Sequence, residues 1–270
     1  MKYVYFYFTN AMSRIVALLN LLIIISPIFI SENLSAQPGF NPEFRGAVYR
    51  IEQPGIKYGT ATMFSHGEYN FLITNRHVIS NSAGDICDSI FIYLNRIDKD
   101  KEVTSGPTYR TVYLTTPLDT YYILPSDSNV DIAMISFGLG NTNIDTTTDR
   151  FFRLRASVFL NPDSLITLMD SGMIVTAIGF PQKILISTEY PRYAEYRWGY
   201  LIGRDSLFIK LDVPVIHGSS GSPIFINAKG KYYFIGIATF LRNNLCFAVP
   251  AYLIKYYFKT CFDYMEKSGE

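Results

Sequence analysis

Short apolar stretches, each four to eight residues long and closed off by turn residues, recur from Ala47 onward. No helical period interrupts them before Ala251. This recurrence narrows the choice of folds more than any other feature of the chain. A first group comprises Ala47–Glu52, Gly59–Ser65, Tyr69–Thr74, Ser89–Asn95, Tyr109–Thr115 and Ile132–Phe137. A second comprises Ile166–Met169, Met173–Ile178, Ser206–Leu211, Ile224–Asn227, Tyr232–Thr239 and Leu245–Val249. Val, Ile, Tyr, Phe and Thr dominate both, and an aromatic content of 16% suits β structure. Asp98–Glu102 reads as a charged, solvated loop, Gly138–Asp149 as a connection between two halves, and Pro181–Trp198 as a long surface loop. From Ala251 to Lys267 the period changes, and Tyr252, Leu253, Tyr256, Tyr257, Thr260 and Met265 fit a closing amphipathic helix. The pattern predicts an all-β barrel or sandwich with one C-terminal helix.

The run Ile15–Ile30 is the one stretch approaching membrane length, but it is short for a span and carries Asn20, Ser26 and Pro27. Arg14 precedes it, and Leu34-Ser35-Ala36 supplies small residues for cleavage before Gln37. Residues 1–36 therefore read as a secretory signal peptide, with Met12 as an alternative start. The remaining expectation is one domain over 37–270, made of an N-terminal half at 37–145, a C-terminal half at 146–250 and the helix at 251–270. Secretion or a periplasmic location follows, with membrane attachment only if the apolar run is retained. A net charge of +1 and no Lys/Arg block argue against nucleic acid as a partner. Cys87, Cys246 and Cys261 are widely spaced and form no C-x-x-C, so zinc and thioredoxin-type readings are weak, and small buried thiols are expected. No metal or other cofactor is called for, and no feature specifies an oligomeric state.

One stretch carries chemistry: His217-Gly218-Ser219-Ser220-Gly221-Ser222-Pro223-Ile224-Phe225. Gly218 and Gly221 permit a tight turn entering a buried strand. Such a turn exposes Ser220 and aims the amides of Gly218 and Ser220 at one point, a geometry suited to an oxyanion. The alternative is a Gly-Ser turn that only reverses the chain. A base and an orienting acid are found upstream. His77 follows the apolar strand ending at Thr74, whereas His66 sits in a polar hairpin and His217 on the rim of the serine turn. Asp131 opens the apolar run Ile132-Ala133-Met134-Ile135, where a half-buried carboxylate needs a partner such as an imidazole N–H. Asp127, Asp145 and Asp149 lie in more polar surroundings.

In the order His77, Asp131, Ser220, separated by 54 and 89 residues, the sequence resembles the chymotrypsin-like serine proteases. Thr74-Asn75-Arg76-His77-Val78-Ile79, Asp131-Ile132-Ala133-Met134-Ile135 and Gly218-Ser219-Ser220-Gly221-Ser222-Pro223 are similar to that family's three blocks. Thr176-Ala177-Ile178-Gly179-Phe180-Pro181 resembles the bacterial HtrA branch. Ile235–Thr239 and Cys246–Pro250 resemble the strands walling its specificity pocket, as in HtrA and the staphylococcal glutamyl endopeptidases. The resemblance runs from about Gly46 to Pro250. It implies two six-stranded antiparallel β-barrels with the active site between them. It also implies a serine endopeptidase acting on protein or peptide substrates, with Ser220 as nucleophile, His77 as base, Asp131 as orienting acid, and the Gly218 and Ser220 amides as oxyanion donors.

The sequence also departs from that family. Ser219 stands where trypsin-like zymogens carry the Asp that pairs with a newly cut N-terminus, so activation by that route is not expected. Pro214 stands where trypsin has its basic-selective Asp, and Ala238 where the glutamyl endopeptidases have a His. With Val215, Ala238 and Phe240 as pocket walls, small or apolar P1 residues are expected. About twenty residues follow Pro250, so no PDZ domain is expected. The competing reading is a catalytically silent protease-fold module that binds peptides or partners.

Overall fold

The computed structural model describes residues 42–66, 69–97, 103–115, 122–137, 152–155, 158, 162–181, 194–257 and 259. The chain divides into Met1–Phe40 and Asn41–Glu270, and every described residue belongs to the second unit. The apolar run at 15–30, the cleavage segment, the loop at 98–102, the connection at 138–149, Cys261 and the end of the predicted helix lie outside the described residues. Among the described residues no helix is long and apolar enough to cross a membrane.

The first half contains α1 (Pro42–Gly46), β1 (Val48–Gln53), β2 (Lys57–His66), β3 (Tyr69–Thr74), α2 (Arg76–Ile79), β4 (Ser89–Ile97), β5 (Val103–Tyr113), β6 (Tyr122–Ile123) and β7 (Ala133–Phe137). The strands lie in the order β5-β4-β1-β2-β3-β7-β6. The short strand β8 (Leu154–Arg155) pairs in parallel with Phe64 and Ser65 of β2, beyond the point where β1 stops pairing at Thr62. Alternate residues face one core: Tyr49 and Ile51, Ala61 and Met63, Leu72, Ile90 and Ile92, Val112 and Leu114, Ala133 and Ile135. This period of two is what a strand with one buried face requires.

The second half contains α3 (Pro162–Leu168), β9 (Ile174–Gly179), β10 (Glu195–Arg204), β11 (Ile209–Asp212), β12 (Pro223–Ala228), β13 (Lys231–Arg242) and β14 (Leu245–Pro250). Here the ladder β10-β11-β14-β13-β12-β9 closes on itself, because β9 also pairs with β10. Asn243 and Asn244, both at positive φ (52° and 62°), make the two-residue turn of the β13–β14 hairpin. Residues 251–257 are helical, as the late change of period predicts.

Three expectations need correction. There are not two closed six-stranded barrels: the second half is a closed six-stranded barrel, but the first is an open, curled sheet. Among the described residues no ladder joins its edges β5 and β6, and β6, at two residues, offers little backbone to pair. Ile166–Met169 is not a strand. Ile166–Leu168 lie in α3, which opens on Pro162, a residue suited to a first helical turn. Pro181–Trp198 is not a loop throughout, since β10 begins at Glu195 and pairs residue for residue with β9.

The two halves are packed together by aromatic rings. Phe64 of β2 lies 5.2 Å from Phe234 of β13, and Phe44 meets Phe225 edge-on at 5.0 Å. Such pairs contribute about 0.5–1.5 kcal/mol each beyond the area they bury.

Candidate active site

The ends of β3 and β7 bring His77 and Asp131 together. The two strands pair antiparallel with Thr74 opposite Ala133, so the segment leaving β3 meets the segment entering β7. Helix α2 then drives Val78 and Ile79 into the core of the open sheet, which leaves His77 facing outward with its side chain 47% exposed. Asn75, at the N-cap position of α2, makes no side-chain cap; it is fully buried, and its Nδ2 donates to the Asp131 carbonyl at 2.7 Å. The backbones of both segments are thereby locked to each other.

The side chains complete the pair. His77 Nδ1 and Asp131 Oδ2 lie 2.6 Å apart, and the His77 amide donates to Asp131 Oδ1 at 3.0 Å. Burial pushes the Asp131 carboxyl up. The hydrogen bond and charge of the His77 ring, the Thr239 hydroxyl and the His77 amide outweigh it, so the group stays ionised below its ordinary range. The Lys57 ammonium donates to the His77 carbonyl, and burial lowers its affinity for a proton while the Cys87 and Asp131 charges raise it.

Ser220 comes from the closed barrel, in the turn between β11 and β12. Gly218 and Gly221 hold φ values of 85° and 87°, which L side chains rarely adopt. A Cβ on Gly221 would lie 1.9 Å from the Thr60 carbonyl, so glycine is also required by the close approach of β2. The turn is fixed by Ser219 N donating to Ile216 O at 3.0 Å, Ser222 N to Ser219 O at 2.9 Å and Gly221 N to Ala238 O at 2.9 Å. Among the described residues neither the Gly218 nor the Ser220 amide donates to a protein acceptor.

Thr239 connects the three groups, and reading the sequence did not find this role. Its Oγ1 donates to Asp131 Oδ2 at 2.5 Å, and its carbonyl accepts from Ser220 Oγ at 3.3 Å. A β-bulge makes this reach possible: Ala238 pairs with Ala248 and Phe240 with Phe247, which leaves Thr239 as the extra residue. Among the described residues no hydrogen bond joins Ser220 to His77.

The predicted pocket walls are placed unequally. Val215 and Ala238 are buried, and Ala238 N donates to Ser222 O at 2.8 Å. Phe240 is 40% exposed and stacks on Phe247 at 4.8 Å, with Phe208 edge-on at 5.2 Å. Arg197 donates to the Pro214 carbonyl, and its charge is answered by Glu195 at 3.2 Å. His217 is exposed. Cys87 and Cys246 are free and buried, and burial pushes the Cys246 thiol up to about 12. Among the described residues no group of three or more His, Cys, Asp or Glu is arranged to hold a metal.

No protein-family model matches this sequence, and no curated protein matches it. Solved structures do. The chain is similar to the HtrA-type protease AlgWS227A with tripeptide, at 21% identity and a TM-score of 0.50 over 81% of this chain. It spans 60% of that structure's own length. It is also similar to a serine endoprotease from Yersinia pestis, at 16% identity and a TM-score of 0.51, covering 84% of this chain and 67% of that one. At these identities the likeness establishes the fold of the HtrA and chymotrypsin-like serine proteases.

Proposed function

We propose that this chain is an exported serine endopeptidase that hydrolyses peptide bonds through an acyl-enzyme. The carrying observation is the Asp131 carboxylate, which binds the His77 ring at 2.6 Å and accepts from the hydroxyl of Thr239, whose carbonyl holds the Ser220 hydroxyl. Ser220 Oγ attacks the substrate carbonyl carbon, and its proton passes to His77 Nε2. The oxyanion takes hydrogen bonds from the Gly218 and Ser220 amides. Collapse breaks the C–N bond, with His77 returning the proton to the leaving amine. Water then repeats the sequence and frees Ser220. For the first step Ser220 Oγ turns from Thr239 O to His77. Asp131 keeps the proton on Nδ1, so that Nε2 can accept.

Ser219 answers the question of activation in this reading. It is buried, its amide donates to Ile216 O, and its Oγ accepts from Ile216 N at 3.4 Å. The turn is held by local bonds that need no new N-terminus. Val215, Ala238 and Phe240 then favour small or apolar P1 residues in a protein or peptide substrate.

One observation favours a second reading, a silent peptide-binding module: the Ser220 hydroxyl bonds Thr239 and not His77. Fluorophosphonate labelling of the full chain, with Ser220→Ala as control, separates the two. Labelling and casein cleavage that both vanish in Ser220→Ala are expected. A folded wild type that neither labels nor cleaves would sink the protease reading in favour of the silent module.

A further inference from the structure

We infer that Thr60, on β2 of the open sheet, is a positioning residue for the two oxyanion donors carried by the closed barrel. The inference rests on the protease reading and adds a residue outside the triad and its donors. Thr60 is fully buried and bonded on every side. Its amide donates to the Ser220 carbonyl at 2.8 Å, and its own carbonyl accepts from Thr74 Oγ1 at 2.8 Å. Its Oγ1 accepts from the Phe180 amide at 3.0 Å and donates to the Gly218 carbonyl at 2.8 Å.

The last two bonds decide the direction of the hydroxyl. The Phe180 N–H takes up a lone pair on Oγ1, so the hydroxyl hydrogen is left to point at the Gly218 carbonyl. That carbonyl belongs to the peptide joining Gly218 to Ser219. The other end of the same peptide, Ser219 N–H, is held by Ile216 O at 3.0 Å. One peptide plane is therefore pinned at both ends. The two amides that receive the oxyanion, those of Gly218 and Ser220, belong to the peptides immediately before and after it. With planar peptides and fixed Cα geometry, pinning the middle plane restricts the swing of both neighbours. Restraint is needed here, because Gly218 has no side chain of its own to limit rotation. Thr60 suits this role because its branched Cβ limits χ1 and both flanking backbone groups are bonded.

A purely structural role would have Thr60 satisfy two buried backbone groups and stabilise the fold without touching turnover. Fluorophosphonates carry a P=O oxygen that lies where the oxyanion forms, so their labelling rate reads the donors directly. The experiment compares wild type, Thr60→Val, which keeps the shape and loses the hydroxyl, and Thr60→Ser, which keeps the hydroxyl. Fluorophosphonate labelling rate, kcat and KM on fluorescent casein, and melting temperature are measured. Thr60→Val is expected to label and turn over roughly ten- to a hundredfold more slowly, with KM within about twofold. Thr60→Ser is expected to recover to within about threefold of wild type. If Thr60→Val does not fold, Thr60→Ala removes the hydroxyl without crowding and must be slow in the same way. A hydroxyl-free variant that folds and labels at the wild-type rate overturns the inference, as does a Thr60→Ser as slow as Thr60→Val. A wild type with no Ser220-dependent labelling removes the protease reading itself, and this inference with it.

Discussion

The closed barrel and the open sheet hold their parts of the site by different means. In the proposed site the groups supplied by the closed barrel are the Ser220 hydroxyl and two backbone amides, carried by a turn fixed by main-chain hydrogen bonds at 216–222 and onto Ala238 of β13. In the open sheet they are side chains at strand ends, with His77 on a four-residue helix that lacks a side-chain cap and leaves its ring half exposed. Backbone donors need not reorganise when charge appears, which suits an oxyanion. A ring that gives and takes protons must turn slightly and meet both solvent and substrate. In the proposed mechanism, closure serves where a charge is received, and openness is tolerated where a proton is carried.

Three tests bear on that contrast, in descending order of effect. If the side chains of the open sheet are indispensable despite their looser hold, Asp131→Asn should lower kcat about 10⁴-fold with the fold intact. Residual turnover near the wild-type level would mean that the barrel's amides suffice alone. If the barrel's turn depends on close contact with β2, Gly221→Ala should cost about 3 kcal/mol or more, read from the urea midpoint. It forces a side chain into positive φ and to 1.9 Å from a backbone carbonyl. Gly55→Ala, also at positive φ (69°) but with nothing within 4 Å, should cost about 1 kcal/mol. Equal costs would deny the contact any importance.

The smallest effect concerns acid. The native Asp131 carboxyl lies below its ordinary 3.8, so its contribution to stability is complete above that pH and is lost as pH falls through the lower native value. The melting temperature of Asp131→Asn should therefore fall less steeply than that of wild type below about pH 4. Parallel curves would show that the carboxylate adds nothing to the open sheet's stability.

Sequence alone located β3 to the residue, because Tyr69–Thr74 is bounded by a polar hairpin and by Asn75. It also singled out His77 and Asp131 at strand ends, but only the resemblance to a known family joined them; the structure sets them 2.6 Å apart. It missed β10, whose residues from Glu195 to Gly199 are all half-buried and show no alternation to read. A short apolar run such as Ile166–Met169 does not distinguish helix from strand, and there the helix-starting Pro162 was the better guide. Openness of the first sheet was not legible either, for closure depends on how far two distant edges extend and not on any local pattern. Thr239 and Thr60 were hidden for a different reason. A threonine in a strand looks like ordinary β-former filling until a bulge or a neighbouring carbonyl gives its hydroxyl a target.

The pairing of β3 with β7 has a consequence for how such a chain tolerates change. Thr74 opposite Ala133 sets the spacing of the His77 and Asp131 segments, so that ladder serves as a calliper across 54 residues of chain. A slip of one rung would displace the carboxylate by about 3.3 Å and turn inward-facing side chains outward. Insertions in the turns between the two strands leave this register intact, whereas an insertion within β3 or β7 shifts it. Mutational drift should accumulate at exposed positions such as 81–85, while the rungs near Thr74 and the core positions of β4 and β5 hold.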